Sequence, residues 1–141
     1  MKVGNKLIAL ILIVGITFVA YRSIIFFYLD EEVDALGRTP TDIVQSFVKS
    51  CQIRDYDEAQ TFWTEDSLVR MEQNRYIGDI NNFFSDVAKS GFREFKMRRG
   101  KYHDIIMVVA TGRANDLPTQ RIFYLEMHDS AWMLYWPKGE G

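Results

Sequence analysis

The chain has 141 residues, a formal net charge of −2 and 14 % aromatic residues, which is the length of a single domain. One cysteine and two histidines are too few for a Cys/His metal site or a disulfide framework within one chain. The composition therefore predicts neither a metal nor a cofactor.

The first segment is an apolar run, LIALILIVGITFVAYRSIIFFYL, at residues 7–29, and its only charge is Arg22. As a helix it would reach about 34 Å, enough to cross a hydrocarbon core of about 30 Å. Tyr21, Arg22 and Tyr28 are expected at the membrane interface, where aromatic rings and snorkelling arginines are favoured. The sequence thus predicts a transmembrane helix within residues 1–29.

The orientation of this helix follows from the charges around it. Lys2 and Lys6 precede the apolar run, which favours a cytoplasmic N-terminus, and Arg22 and Arg38 reduce this asymmetry; the acidic cluster after the run does not count in the rule. We therefore predict a single-pass protein of the inner (cytoplasmic) membrane with an extracytoplasmic, periplasmic C-terminal domain. The alternative is a cleaved signal peptide with residues 7–20 as its apolar region, although no small-x-small site directly follows Ala20.

Residues 30–38 are predicted to be an acidic linker that leads into a domain of residues 39–141. Thr39 and Pro40 are typical of a helix cap and a first helical position, and Asp42 suits the positive end of the helix. Later helices are predicted after an Asp-rich elbow at 55–57, after the start signal at 64–67, and from Tyr76 to Val87, with Ser90-Gly91 as the stop.

The period of the apolar pattern changes to two after the last of these helices. Strands are predicted at Phe92–Arg99, Tyr102–Thr111, Thr119–His128 and Ala131–Trp136, separated by turn signals that include a loop at 112–118. Short connections favour antiparallel neighbours. The expected fold class is α+β, with about three helices packed on one face of a four-stranded antiparallel sheet.

Charge divides between the two halves of the domain. Residues 30–86 hold thirteen acids against five bases, whereas residues 87–141 hold six acids against nine bases. The bases concentrate in one predicted hairpin, at Arg93, Lys96, Arg98, Arg99 and Lys101. This hairpin is interpreted as a contact for an anionic surface or a partner, with a solvated edge protected by charge as the alternative. No nucleic-acid partner is expected, because the domain is acidic overall.

Two stretches resemble a known family. TPTDIVQSFVKSCQIRDYDEAQTFWTEDS and the closing DSAWMLYW are similar to the first helices and last strand of nuclear-transport-factor-2-like (cystatin-like) domains, over roughly residues 39–137. The resemblance implies a curved sheet that wraps around helices to form a cone with a pocket. Phe84, Met107, Tyr124 and Trp132 are the expected pocket-lining residues.

Catalysis is not expected. Enzymes of this fold bring Asp, His and Tyr side chains together in the cone, and the candidates would be Asp57, Tyr76, His103, Tyr124 and His128. Caps, solvated histidines and ordinary core positions explain these residues more simply. Cys51 lies on the apolar stripe of the first domain helix, which favours a buried, unreactive thiol.

The predicted function is that of a non-catalytic scaffold or accessory subunit of a membrane complex. Its partners would be membrane lipid and other subunits of that complex, and a homo-oligomer is compatible with the sequence. The alternatives are a membrane-anchored binder of a small apolar ligand in the cone pocket and an acid/base enzyme of the same fold.

Overall fold

The computed structural model describes residues 2–29, 31–100 and 105–138, without the side chains of residues 2, 3 and 21–29. The chain divides into two compact units, Met1–Asp30 and Glu31–Gly141. The described helices are α1 (Lys2–Leu29), α2 (Pro40–Gln52), α3 (Tyr56–Thr61), α4 (Glu65–Gln73) and α5 (Ile80–Lys89), and the strands are β1 (Phe92–Arg99), β2 (Ile106–Ala114), β3 (Leu117–His128) and β4 (Ala131–Tyr135). The predicted α+β class is confirmed.

The first unit is α1 alone. Its described large apolar side chains, from Leu7 to Val19, are 57–68 % exposed. In the part of the chain that the structure describes, no helix attains the length and hydropathy of a membrane span. The side chains of Tyr21, Arg22 and Tyr28, the predicted interface residues, lie outside the described set.

The sheet of the second unit is an antiparallel meander in the order β1-β2-β3-β4. Successive side chains of a strand point to opposite faces, and the buried residues of β2 and β3, such as Val108 and Phe123, lie opposite each other on one of them. Helix α2 contacts β1, β2 and β4, and α5 packs beside α2. Four helices rather than about three therefore accompany the sheet in the described unit.

Helix α2 begins as its sequence predicts. Thr39 and Asp42 form a capping box, in which the Thr39 hydroxyl accepts from the Asp42 backbone N–H and the Asp42 carboxylate accepts from that of Thr39. The helix ends at Gln52 with Ile53 as its C-cap, and Arg54, with a positive φ of 62°, follows. Asp55 then caps α3 by accepting from the backbone N–H of Glu58 at 3.1 Å. The Asp-rich elbow is thus a helix stop followed directly by a helix cap.

Two predicted boundaries are wrong. Helix α5 starts at Ile80 instead of Tyr76, because Asp79 is its cap and Gly78 has a positive φ of 65°. The predicted loop at 112–118 is largely strand, because only Asn115 and Asp116 form the turn, both with positive φ. Such a pair fits a two-residue hairpin turn.

Pro118 fits within β3 for a local reason. It lies opposite Arg113 of β2, whereas the pairing of β3 with β4 begins only at Tyr124. A proline without an N–H is tolerated where one side of a strand has no neighbour. The proline therefore marks a free edge of β3 and not a loop.

Phe47 of α2 is the centre of an aromatic core. Its ring meets those of Trp63, Phe84 and Phe123 edge to face, with centroids 5.4, 5.5 and 5.8 Å away. All four side chains are buried. This packing joins α2, α5, β3 and the segment after α3 into one core, since edge-to-face pairs add to the stability from burial alone.

The outer edge of β4 and of its flanking residues is contacted at four alternate residues, Ser130, Trp132, Leu134 and Trp136. Ser130 O accepts from Ala35 N, and Trp132 N donates to the Asp34 carboxylate. Leu134 exchanges backbone hydrogen bonds with Phe62 and Thr64, and Trp136 N donates to Ser67 Oγ while Trp136 O accepts from Arg70. Most of the groups that another strand would use are therefore already paired at this edge.

Residues 31–38, which the charge pattern predicts to be a linker, pack onto the second unit. The Asp34 carboxylate is buried and accepts hydrogen bonds from the backbone of Leu36 and Arg38 and from the Arg38 guanidinium at 2.9–3.0 Å. The Trp132 indole Nε1–H donates to Glu32 O at 2.9 Å. This segment is thus part of the folded unit.

Candidate functional site

The four predicted pocket residues lie on two different faces of the sheet. Phe84 and Trp132 are buried in the core on the helix side. Met107 and Tyr124 are opposite each other in the β2–β3 register, with the strand parity that faces away from the helices. The structure therefore places two of them in the core and two on the outer face, and not in one pocket.

The face of the sheet that points away from the helices carries an aligned apolar surface. One row across the strands is formed by Met107, Tyr124 and Tyr135, and the next by Val109 and Ile122. Ile122 is 42 % exposed, and the rings of Tyr124 and Tyr135 have centroids 6.0 Å apart. We call these five residues the outer patch.

Each row of the outer patch begins with a cation on β1. Arg98 is opposite Met107, and Lys96 is opposite Val109. The other predicted basic residues lie elsewhere: Arg93 stands at the β-bulge between Phe92 and Glu94, Arg99 has the opposite strand parity, and Lys101 lies outside the described residues. The predicted basic cluster is thus divided, and two of its members border the outer patch.

Carboxylates border the same face on its other sides. Glu94 of β1 is followed across the sheet by Thr111 and Gln120, which forms a polar row beside the patch. Glu126 lies opposite Met133. Burial, together with the nearby Glu126 and Tyr124, raises the pKa of Tyr135. Its phenol therefore stays protonated and can donate a hydrogen bond at the border of the patch.

The candidate acid/base residues do not form a cluster in the described part of the chain. Tyr76 is 74 % exposed, the His128 side chain is 61 % exposed beside Asp129, and Asp57 is an exposed residue in the first turn of α3. His103 lies outside the described residues. Among those that are described, no group of three or more His, Cys, Asp or Glu side chains could hold a metal ion.

Cys51 has no nucleophilic activation. Its side chain is fully buried on α2, and burial raises the pKa of the thiol to about 12. A thiol needs a lowered pKa and solvent access to react at neutral pH. The interpretation of Cys51 as a core residue is confirmed.

The comparisons with known proteins give no family. No protein-family model, no curated protein and no solved structure matches this chain. The resemblance to nuclear-transport-factor-2-like domains stays a prediction that rests on the two motifs.

Sequence reasoning did not find the outer patch. The β2 run Ile106-Met107-Val108-Val109 is apolar at every position. Because apolar and polar residues do not alternate in it, the sequence does not indicate which face of β2 packs against the helices. The signal was present in β3, where Ile122 and Tyr124 alternate with the buried Phe123 and Leu125. A strand that is apolar on both faces indicates a second surface to be covered.

Proposed function

We propose that this chain is a membrane-anchored, non-catalytic accessory subunit whose outer patch binds a partner protein of a membrane complex. The observation that carries the proposal is the outer patch itself, five apolar or aromatic residues in two register-matched rows on the face without helices. Ile122 is exposed and the other four are half-buried. Adjacent apolar side chains that stay at least partly exposed and are bordered by polar ones are characteristic of protein interaction sites.

The charges around the patch favour a particular partner chemistry. Lys96 and Arg98 supply positive charge at one end of the rows, so the partner surface is expected to be apolar with acidic residues opposite these two. An anionic lipid surface fits less well, since Glu94 and Glu126 border the same face and would be repelled by lipid head groups. The patch is thus assigned to a protein and not to lipid.

Hydrogen bonds at the edge of β4 also favour binding through the outer patch over the addition of a partner strand to the sheet. Most outward backbone groups along β4 and its flanking residues are paired by residues 34–35, 62–64, 67 and 70, which disfavours the addition of another strand. A partner that uses the outer patch would instead pack side chains against side chains.

Helix α1 is the proposed anchor. Its large apolar side chains from Leu7 to Val19 are exposed to the surroundings, which would be unfavourable in water and favourable in lipid. The side-chain-described part, residues 4–20, would span roughly 25 Å as a helix, somewhat less than a hydrocarbon core of about 30 Å. The proposed span therefore needs the residues of α1 that follow Ala20. Lys2 and Lys6 favour a cytoplasmic N-terminus and a periplasmic second unit.

Site-specific photocrosslinking in native membranes tests the partner site. A benzophenone amino acid at Ile122 is expected to give one discrete, heavier protein adduct on irradiation of the full chain. The matched control is Leu117 on the same strand, which is 68 % exposed but lies at the β2–β3 turn, away from the outer patch. It is expected to give no such adduct.

Charge reversal gives a second readout of the same site. The double variant K96E/R98E is expected to reduce the adduct at Ile122 by about tenfold, because like charges across an interface weaken association. Adducts only with lipid, or only with a second copy of this chain, would contradict the assignment to a different protein. Equal adducts from Ile122 and Leu117 would contradict the location.

A further inference from the structure

A small cavity lies where β4 separates from β3. The β3–β4 register ends at the pair Tyr124 and Tyr135, so the preceding residues of β3 have β2 on one side and no strand on the other. The cavity has a volume of about 120 Å³, and the chain that follows β4 closes one side of it through Trp136 and Pro137. It is therefore bounded by the free edge of β3 and by the residues that leave the sheet.

Aromatic rings form the wall of this cavity on the helix side. The Phe83 ring stands edge to face with Trp63 and Trp136, at centroid distances of 5.9 and 5.8 Å. All three residues line the cavity, and Trp63 and Phe83 are buried. A wall of this kind accepts a flat apolar group, because aromatic rings pack well edge to face.

A single cation enters the same cavity. Arg121 shares the strand parity of the buried Phe123 and Leu125, and its Cζ lies 5.0 Å from the centroid of the Phe83 ring. Burial lowers its pKa, an effect that the charge of Asp86 on α5 partly offsets. An arginine nevertheless keeps its charge. The cavity therefore combines apolar walls with one permanent positive charge.

The guanidinium of Arg121 contacts the Phe83 ring but has no hydrogen-bond acceptor and no ion-pair partner among the described residues, 2–29, 31–100 and 105–138. Asp86 acts on it only through longer-range electrostatics. The guanidinium N–H donors are not among the fully buried atoms, so they are open to a ligand that enters from solvent, and a carboxylate matches two of those donors at once.

A second unpaired donor belongs to the wall. The Nε1–H of Trp63 is buried and has no acceptor in the described part of the chain, although most buried polar atoms are paired. By contrast, the indole of Trp132 donates to Glu32 O. Two donors without acceptors, Arg121 and Trp63, thus belong to residues that line one cavity.

From these contacts, we propose that the cavity binds a small carboxylate that carries one apolar or aromatic ring, with the carboxylate paired to Arg121 and the ring packed against Trp63, Phe83 and Trp136. The volume suits this class, because cavities of similar size accept one benzene ring. Ile122, Tyr124 and Tyr135 of the outer patch also line this cavity. The cavity differs from the patch in chemistry because its lining includes Arg121.

Benzoate is the probe, added to the full chain in lipid nanodiscs with ¹⁵N-labelled tryptophan. Millimolar benzoate is expected to shift the indole N–H resonances of Trp63 and Trp136 and to leave that of Trp132 unchanged. Benzamide has the same ring and shape without the charge. It is expected to bind at least about tenfold more weakly, because the charge-assisted pair with Arg121 is lost.

Variants locate the carboxylate. R121Q is expected to weaken benzoate binding by at least about tenfold, and R121K by less, since lysine keeps the charge without the planar fork. R113Q, at an exposed arginine of β2, is the matched control and is expected to bind like the unchanged chain. If R121Q does not fold, the R121K variant and the comparison of benzoate with benzamide still test whether Arg121 binds the carboxylate.

Three results would overturn the proposal: equal affinity for benzoate and benzamide, unchanged benzoate binding in folded R121Q, or absence of any shift at Trp63 and Trp136. Equal shifts at all three tryptophans would indicate a general effect of the additive and would also count against it. The two proposals can fail separately, because the carboxylate site is tested by substitution of Arg121 and the protein partner by photocrosslinking.

Discussion

Phe47 illustrates how one residue holds several elements together. It is fully buried and its ring touches rings from the segment after α3, from α5 and from β3. The variant F47A is expected to lower the free energy of unfolding of the second unit by about 3–5 kcal/mol, because a large core cavity replaces the ring. Thermal unfolding of the full chain in detergent, followed by tryptophan fluorescence, measures this loss.

An exposed residue at the C-terminal end of the same helix provides the control for the F47A variant. Ile53 is 61 % exposed at the end of α2, and I53A is expected to change the unfolding free energy by less than about 0.5 kcal/mol. A loss below about 1 kcal/mol in F47A would show that the aromatic contacts of Phe47 do not organise the core.

Some individual residues were predictable from sequence and others were not. Thr39 was predictable as a cap and Asp42 as an acid of the first turn, because both depend on their own neighbours in the chain. For α3 the sequence offered Asp55 or Asp57 as the cap, and the structure has Asp55. Arg121 was not singled out, because the environment of a charged residue in a strand depends on which helix covers that face. The sequence did show that Arg121 alternates in step with Phe123 and Leu125 along β3, which places it on the same face of the strand as these two apolar residues.

At the scale of elements, the packing of residues 31–38 against β4 depends on the carboxylate of Asp34. Burial would raise the pKa of Asp34, but hydrogen bonds from Arg38, Trp132 and Leu36 outweigh it and hold that pKa at about 2, below the ordinary 3.8. A carboxylate with a depressed pKa stabilises the folded state above its unfolded pKa. This contribution is therefore complete above about pH 4 and is lost as the pH falls towards 2.

The variant D34N tests this contribution of the Asp34 carboxylate. It is expected to destabilise the second unit by about 1–3 kcal/mol at pH 7, because the charge-assisted hydrogen bonds weaken. The difference between D34N and the unchanged chain is expected to shrink between pH 4 and pH 2, as measured by unfolding at each pH. Asp129, whose side chain is 97 % exposed, is the control. A difference that does not vary with pH would contradict the role of the Asp34 charge.

The elements themselves were mostly predictable, with errors at specific boundaries. The helix-to-strand change of period correctly located all four strands, because half-buried strands alternate along the chain. The loop between β2 and β3 was predicted too long because Gly112 and Pro118 are turn signals. Gly112 instead serves a close approach of chains, since a Cβ there would collide with the backbone of Gly91.

At the scale of the whole molecule, the proposed anchor has a direct test. Alkaline carbonate extraction is expected to leave the full chain in the membrane pellet. The variant L12R/I16R is expected to release it to the supernatant, because each arginine at the centre of a membrane helix costs about 2.5–3.5 kcal/mol on insertion scales.

The control for this experiment lies in the second unit. Leu36 is 71 % exposed, and L36R is expected to remain in the pellet. Full release of the unchanged chain by carbonate would contradict the anchor. The outer patch and the Arg121 cavity belong to the second unit, so their assignments do not depend on this outcome.

The packing of residues 31–38 bears on where a truncated protein should start. A fragment cut at Thr39, where the helical pattern begins, would lose the acceptor of the Trp132 indole, the Asp34 carboxylate and the Ala35 backbone partner of Ser130. Part of β4 would then be an open template for intermolecular strand pairing and aggregation. Starting the fragment at Glu31 preserves these partners and gives a sample better suited to crystallisation.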